Sequence, residues 1–68
     1  MQTVTDSYLM GIQEGRQFLR DHGPFSQADM SRIFDNLNAL CLSHDADSET
    51  GQMFRGERDF WRDQIKRG

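Results

Sequence analysis

Ser26-Gln-Ala-Asp-Met-Ser-Arg-Ile-Phe-Asp-Asn-Leu-Asn-Ala-Leu-Cys-Leu42 decides the fold. Met30, Ile33, Phe34, Leu37, Leu40 and Cys41 recur at i, i+3, i+4, i+7, i+10 and i+11, the period of one helix face. Asp29, Ser31, Arg32, Asp35, Asn36 and Asn38 fill the other side. Ser26 followed by Asp29 resembles a capping box with Asp in the place of the usual Glu or Gln. The spacing predicts a helix over residues 27–42 and puts it at the centre of the core.

Turn signals bracket this segment. Upstream, Asp21-His-Gly-Pro-Phe-Ser26 stops one helix at Gly23-Pro24 and lets Ser26 start the next. Downstream, Ser43-His-Asp-Ala-Asp-Ser48 is a run of short polar side chains that favour caps and turns. A helix is expected on each far side. Residues 6–21, capped by Thr5 or Asp6, align Tyr8, Ile12, Gly15 and Leu19, with Leu9, Gly11 and Phe18 on the flanks. Gly11 and Gly15 each cost a helix about 1 kcal/mol against Ala. Four residues apart beside the apolar stripe, they read as a smooth groove where a second helix backbone approaches. Residues 49–66, capped by Ser48 or Asp47, align Phe54, Trp61 and Ile65, and Met53 with Phe60 widens that stripe. Arg55, Arg58, Arg62 and Lys66 lie on another side, and the cations near the C-terminus complement the helix dipole. The expected fold class is all-α: three short amphipathic helices in one small bundle spanning residues 1–68. Its core is Ile12, Leu19, Met30, Ile33, Phe34, Leu37, Leu40, Cys41, Phe54 and Ile65.

Size and composition bound the function. A 68-residue chain with 35% hydrophobic and 28% charged residues is neither collagen-like nor a Pro/Gly-rich disordered chain. No apolar run approaches the roughly 18–20 residues of a membrane span. Met1-Gln-Thr-Val-Thr-Asp6 has no basic and no apolar region, so a signal peptide is not expected. The single cysteine, Cys41, forms no intrachain disulfide, whereas a secreted domain this small usually needs several. A cytoplasmic location is expected.

Four kinds of chemistry were weighed. Asp45-Ala-Asp47-Ser-Glu49-Thr-Gly51 starts like a calcium-binding EF-hand loop, but the sixth position is Thr50 rather than Gly and the twelfth is Gly56 rather than Glu. Cys41-Leu-Ser-His44 has a metal-like spacing, but Cys41 belongs to an apolar face and a structural zinc needs four ligands. No metal or other cofactor is expected. No nucleophile elbow, zinc-protease motif, P-loop or dinucleotide fingerprint occurs, so an enzyme is not expected. Residues 1–50 carry three cations against eight anions, a net of −5, and residues 51–68 carry five against three, a net of +2, giving −3 overall. The basic face of the third helix offers a DNA-binding or transcription-accessory alternative. Asp59 and Asp63 interrupt that face and the acidic loop sits at its start, which argues against nucleic acid.

What remains is surface. Aromatic, Met and Arg residues are enriched at interaction hot spots, and the third helix carries them together. Its two apolar lines, Phe54-Trp61-Ile65 and Met53-Phe60, are more than one short helix covers. Arg55, Arg58, Phe60, Trp61 and Arg62 are therefore the expected partner-binding residues, with a homodimer as the expected first assembly.

Ser7-Tyr-Leu-Met-Gly-Ile-Gln-Glu-Gly-Arg16 and Gly56-Glu-Arg-Asp-Phe-Trp-Arg62 together resemble small early accessory proteins of lambda-like temperate phages, of the kind encoded between the exonuclease and excisionase genes. The resemblance implies an all-helical protein of the host bacterial cytoplasm. It would bind host or phage proteins, biasing infection toward lytic growth or altering the host cycle.

Overall fold

The computed structural model describes residues 5–67. Most of the stretch read for a signal peptide, and the last residue of the expected 1–68 unit, lie outside them. Three helices form: α1 (Asp6–His22), α2 (Gln27–Ser43) and α3 (Glu49–Arg67). Their ends agree with the sequence expectation to within one residue. The fold is all-α, a small helical bundle with no strand among the described residues. No described helix is long and apolar enough to cross a membrane.

Side chains fix each helix start. Thr5 accepts the Tyr8 amide hydrogen at 3.1 Å, and Ser26 accepts that of Asp29 at 3.1 Å, relieving donors that have no partner inside the helix. Ser48 starts α3. Its hydroxyl accepts the Gly51 N–H at 2.9 Å and donates to the Asp45 carbonyl at 2.7 Å. The Asp45 carboxylate accepts the Asp47 N–H at 3.1 Å. The acidic loop is thus a self-bonded turn feeding a helix cap.

The centre of the bundle is α3, not α2 as the clearer periodicity of α2 suggests. Both α1 and α2 pack on α3 and make no close backbone approach to one another. Thr5 bonds Gln52 and Gly15 meets Phe60, so α1 runs parallel to α3. Gln27 bonds the Ile65 carbonyl at 3.3 Å and His44 stacks on Phe54, so α2 runs antiparallel to it.

The α1–α3 contact is made by glycines. A Cβ on Gly11 would overlap the Met53 carbonyl, and one on Gly56 would overlap the Tyr8 carbonyl. A Cβ on Gly15 would stand 2.8 Å from the Phe60 ring. The groove read from Gly11 and Gly15 is therefore real, and its occupant is α3 of the same chain. Gly56 is its reciprocal half.

The buried apolar residues are Met30, Leu37, Cys41 and Trp61, and Trp61, at 1% exposed, is the fully covered one. Leu19, Phe25, Ile33, Phe34, Phe54, Phe60 and Ile65 pack around this cluster, partly buried. Ile12 is half-buried, with its amide nitrogen against Gly56. Leu40, expected in the core, is 37% exposed. The reason is geometric: α2 touches one helix rather than two, so its buried strip is narrow and Leu40 falls beside it.

Candidate functional site

The five residues expected to bind a partner occupy different environments. Trp61 is the most deeply buried large side chain. Its ring meets Phe60 edge-on at 5.3 Å, Phe25 at 5.6 Å and Phe18 at 6.4 Å, so it is a core residue. Phe60 is half-buried against Gly15. The second apolar line of α3, which called for a dimer, is thus largely covered by α1. The close approach allowed by Gly11 and Gly15 supplies that cover. The premise for a homodimer through Phe60 falls away with it.

The arginines are not a free stripe. Arg58 pairs with Asp59 at 3.1 Å, and Arg62 pairs with the same carboxylate oxygen at 3.3 Å. The Tyr8 hydroxyl donates to the other oxygen of Asp59 at 2.5 Å, from α1. Burial, and then the Asp59 carboxylate it bonds, push the Tyr8 hydroxyl above its ordinary pKa, against the opposing pull of Arg62 and Arg58. Arg55 is half-buried, and its Nε has no hydrogen-bond partner among the described residues. Only Arg62 of the three is exposed.

Of the residues with catalytic or metal-binding chemistry, Cys41 is buried, while His22 and His44 are exposed, each with one aromatic neighbour. Cys41 is 3% exposed, and burial pushes its thiol up, away from the reactive thiolate. The ring of His22 lies 4.8 Å from Phe18, and that of His44 lies 5.2 Å from Phe54. Among the described residues no three His, Cys, Asp or Glu side chains gather as a metal site.

The feature that sequence reading missed lies on the opposite flank of α3. Because α1 and α2 make no close backbone approach, a groove opens between them with α3 as its floor. It holds about 280 Å³ and is lined by Glu14, Gly15 and Phe18 of α1, Ile33, Asn36 and Leu37 of α2, and Glu57 and Trp61 of α3. Phe18 is 43% exposed along its wall. Met10, 54% exposed, continues the same face of α1 at the i, i+4, i+8 positions with Glu14 and Phe18. Leu40, three residues beyond Leu37 and four beyond Asn36, extends the α2 wall toward its C-terminal end. Its exposure thus falls on this side. Neither Glu14 nor Glu57 has an ion-pair partner among the described residues. Burial, and then the neighbouring Glu14, push the Glu57 carboxyl above its ordinary value.

A signal for part of this existed. Phe25 precedes the Ser26 cap and stands five residues before Met30, the spacing of a hydrophobic staple. Phe25 indeed joins the Trp61 cluster, stacking on Phe18 at 5.6 Å with the rings 7° from parallel. The groove itself has no one-dimensional signature, because it follows from which helices make no close backbone approach.

No protein-family model matches the chain, and no curated protein or solved structure is similar to it.

Proposed function

We propose that the chain is a non-enzymatic protein-interaction module. It is a small accessory protein of the lambda-like temperate phage kind, acting in the host cytoplasm by binding host or phage proteins and so modulating host processes or the choice between lytic and lysogenic growth. The observation that carries the interaction reading is the open groove between α1 and α2. It is floored by Trp61 of α3 and walled by Ile33 and Leu37 of α2 and by exposed Phe18 of α1. Exposed apolar surface of this kind marks sites of association rather than of solvation. The phage assignment rests on the resemblance of residues 7–16 and 56–62 alone.

The nucleic-acid alternative is weakened by Asp59. Its carboxylate already engages Arg58 and Arg62, which leaves less uncompensated positive charge for phosphate.

The test is capture from a bacterial host lysate, using the purified chain as bait beside Phe18→Glu and Arg62→Glu. The groove reading expects partners that Phe18→Glu loses and Arg62→Glu keeps. The reverse pattern would return the site to the basic face of α3, and nucleic acid recovered with the bait would favour the alternative.

A further inference from the structure

We infer that the groove between α1 and α2 receives a basic amphipathic helix from a partner protein, with apolar side chains against Phe18 and Ile33 above the buried Trp61 and a Lys or Arg between Glu14 and Glu57. This deepens the interaction reading above and rests on it.

Three observations meet here. The first is architectural. α3 is covered by two helices that make no close backbone approach to each other, so one further helix laid along the gap would contact α1 and α2 at once. That arrangement completes a four-helix bundle, in which every helix has two neighbours. The second is the lining. Phe18, Ile33, Leu37 and Trp61 make an apolar trough, and helix-in-groove recognition uses anchors at i, i+3, i+4 and i+7 against such a surface. A volume of about 280 Å³ admits a few inserted side chains, not a whole helix. The occupant therefore lies across the mouth and projects its anchors inward.

The third observation is charge, and it selects the occupant. Both charged residues that line the trough are acidic, one from α1 and one from α3, while α2 contributes Ile33, Asn36 and Leu37. Glu14 and Glu57 disfavour one another, and no cation of the described chain pairs with either. Two carboxylates bordering an apolar surface repel an acidic or purely apolar helix and attract a cationic one. Of the chain's own cations, Arg58 and Arg62 are held by Asp59 and Arg67 by Asp63 at 2.9 Å, and a second copy offering the others is the competing occupant that sedimentation tests.

The experiment uses the full chain and a panel of synthetic helical peptides without tryptophan. All share one apolar pattern, Leu at i, i+3, i+4 and i+7, and differ only in a central residue: Arg, Lys, Gln or Glu. Binding is followed by the emission of Trp61, the sole tryptophan, and by calorimetry. The Arg and Lys peptides are expected to bind about tenfold tighter than the Gln peptide, and the Glu peptide weakest. The isosteric double variant Glu14→Gln/Glu57→Gln, which removes a repulsion and should fold at least as well, is expected to erase that ranking. Binding that ignores the central residue, or a ranking that survives the double variant, would overturn the inference. If lysate partners are still lost with Phe18→Glu, the broader interaction reading stands in that case. Failure of every peptide, together with lysate capture indifferent to Phe18→Glu, would sink both. Sedimentation of the chain alone showing self-association that Phe18→Glu abolishes would identify a second copy as the occupant and overturn the cationic helix.

Discussion

Gly56→Ala is the sharpest perturbation of this fold, because two effects of opposite sign compete at one atom. In an exposed helix interior the change would stabilise by about 1 kcal/mol through propensity. Here the new Cβ would stand 3.0 Å from the Tyr8 carbonyl carbon and 3.2 Å from the Ile12 amide nitrogen, with the Tyr8 carbonyl oxygen nearer still. All of these are backbone atoms, so no rotamer change relieves the overlap and α1 must withdraw. Restoring ordinary contact with the Tyr8 oxygen moves α1 by well over 1 Å, a gap that forfeits about half or more of each dispersion contact along the seam. Overpacking of this kind costs about 1–3 kcal/mol, sometimes more. Withdrawal also stretches the Tyr8–Asp59 hydrogen bond, worth about 1 kcal/mol. Set against the propensity gain, the net loss is roughly 2 kcal/mol. Denaturant unfolding followed by Trp61 fluorescence and far-ultraviolet dichroism should place the midpoint of Gly56→Ala clearly below that of the wild type. Gly15→Ala should cost less, since the atom it meets belongs to the Phe60 ring, which can tilt. A Gly56→Ala midpoint equal to or above wild type would refute the claim that α1 and α3 are in backbone contact.

Leu37→Ala removes a side chain that is 7% exposed at the α2–α3 contact. It should cost roughly 2–5 kcal/mol, and an unchanged denaturation midpoint would show that this face is not core. Tyr8→Phe should lower stability by about 1 kcal/mol, and Asp59→Ala, which also strands Arg58, by about 1–3 kcal/mol; equal effects in thermal melts would mean the arginines contribute nothing through Asp59. Glu57 sets a pH dependence whose sign follows from its raised pKa. Its stabilising contribution is full below the ordinary glutamate value of 4.5 and is lost as pH rises through the raised one. Wild type and Glu57→Gln should therefore converge in melting temperature at acid pH, with Glu57→Gln the more stable near neutrality. A gap that widens on acidification would contradict the burial of that carboxyl beside Glu14.

What the sequence made legible was local. Helix ends were readable because caps are short-range chemistry: Thr5 and Ser48 were each named among candidate caps, and Ser26 bonds the Asp29 amide as its box spacing implies. The buried strip of α2 was readable except at Leu40, whose exposure depends on how many helices cover α2. Packing partners were less legible. Strong periodicity in α2 suggested centrality, yet α3 is central because Gly56, with Gly11 and Gly15 opposite, lets α1 settle on one flank while Phe54, Trp61 and Ile65 hold α2 on the other. Gly56 carries no packing signal of its own, since nothing in one dimension pairs it with Gly11. Arg55, Arg58 and Arg62 looked like a free stripe, because a residue's charge is visible in a sequence while its partner across space is not.

The glycines also bear on how a partner would act. Gly11, Gly15 and Gly56 lie inside helices along the α1–α3 seam. At about 1 kcal/mol each against Ala, they cost an isolated set of helices roughly 3 kcal/mol. The whole net stability of a chain this size is about 3–10 kcal/mol. Close packing of α1 on α3 must return that cost, which makes α1–α3 a unit that forms together. The α2 helix has no such seam and no close approach to α1. A helix bound in the groove would supply the missing α1–α2 link through its own side chains. Because it would bind the folded arrangement and not the unfolded chain, it would stabilise by RT ln(1 + [L]/Kd), about 2.7 kcal/mol at a hundredfold excess over Kd. Amide hydrogen exchange would locate the effect. Saturating partner should slow exchange most in α2, the helix held by one contact face, and least in the part of α1 that faces α3 through Gly11. Uniform slowing over all three helices would mean that the bundle opens only as a whole. In that case the groove would be a surface feature on a single cooperative unit rather than a gap between a seam and a more loosely held helix.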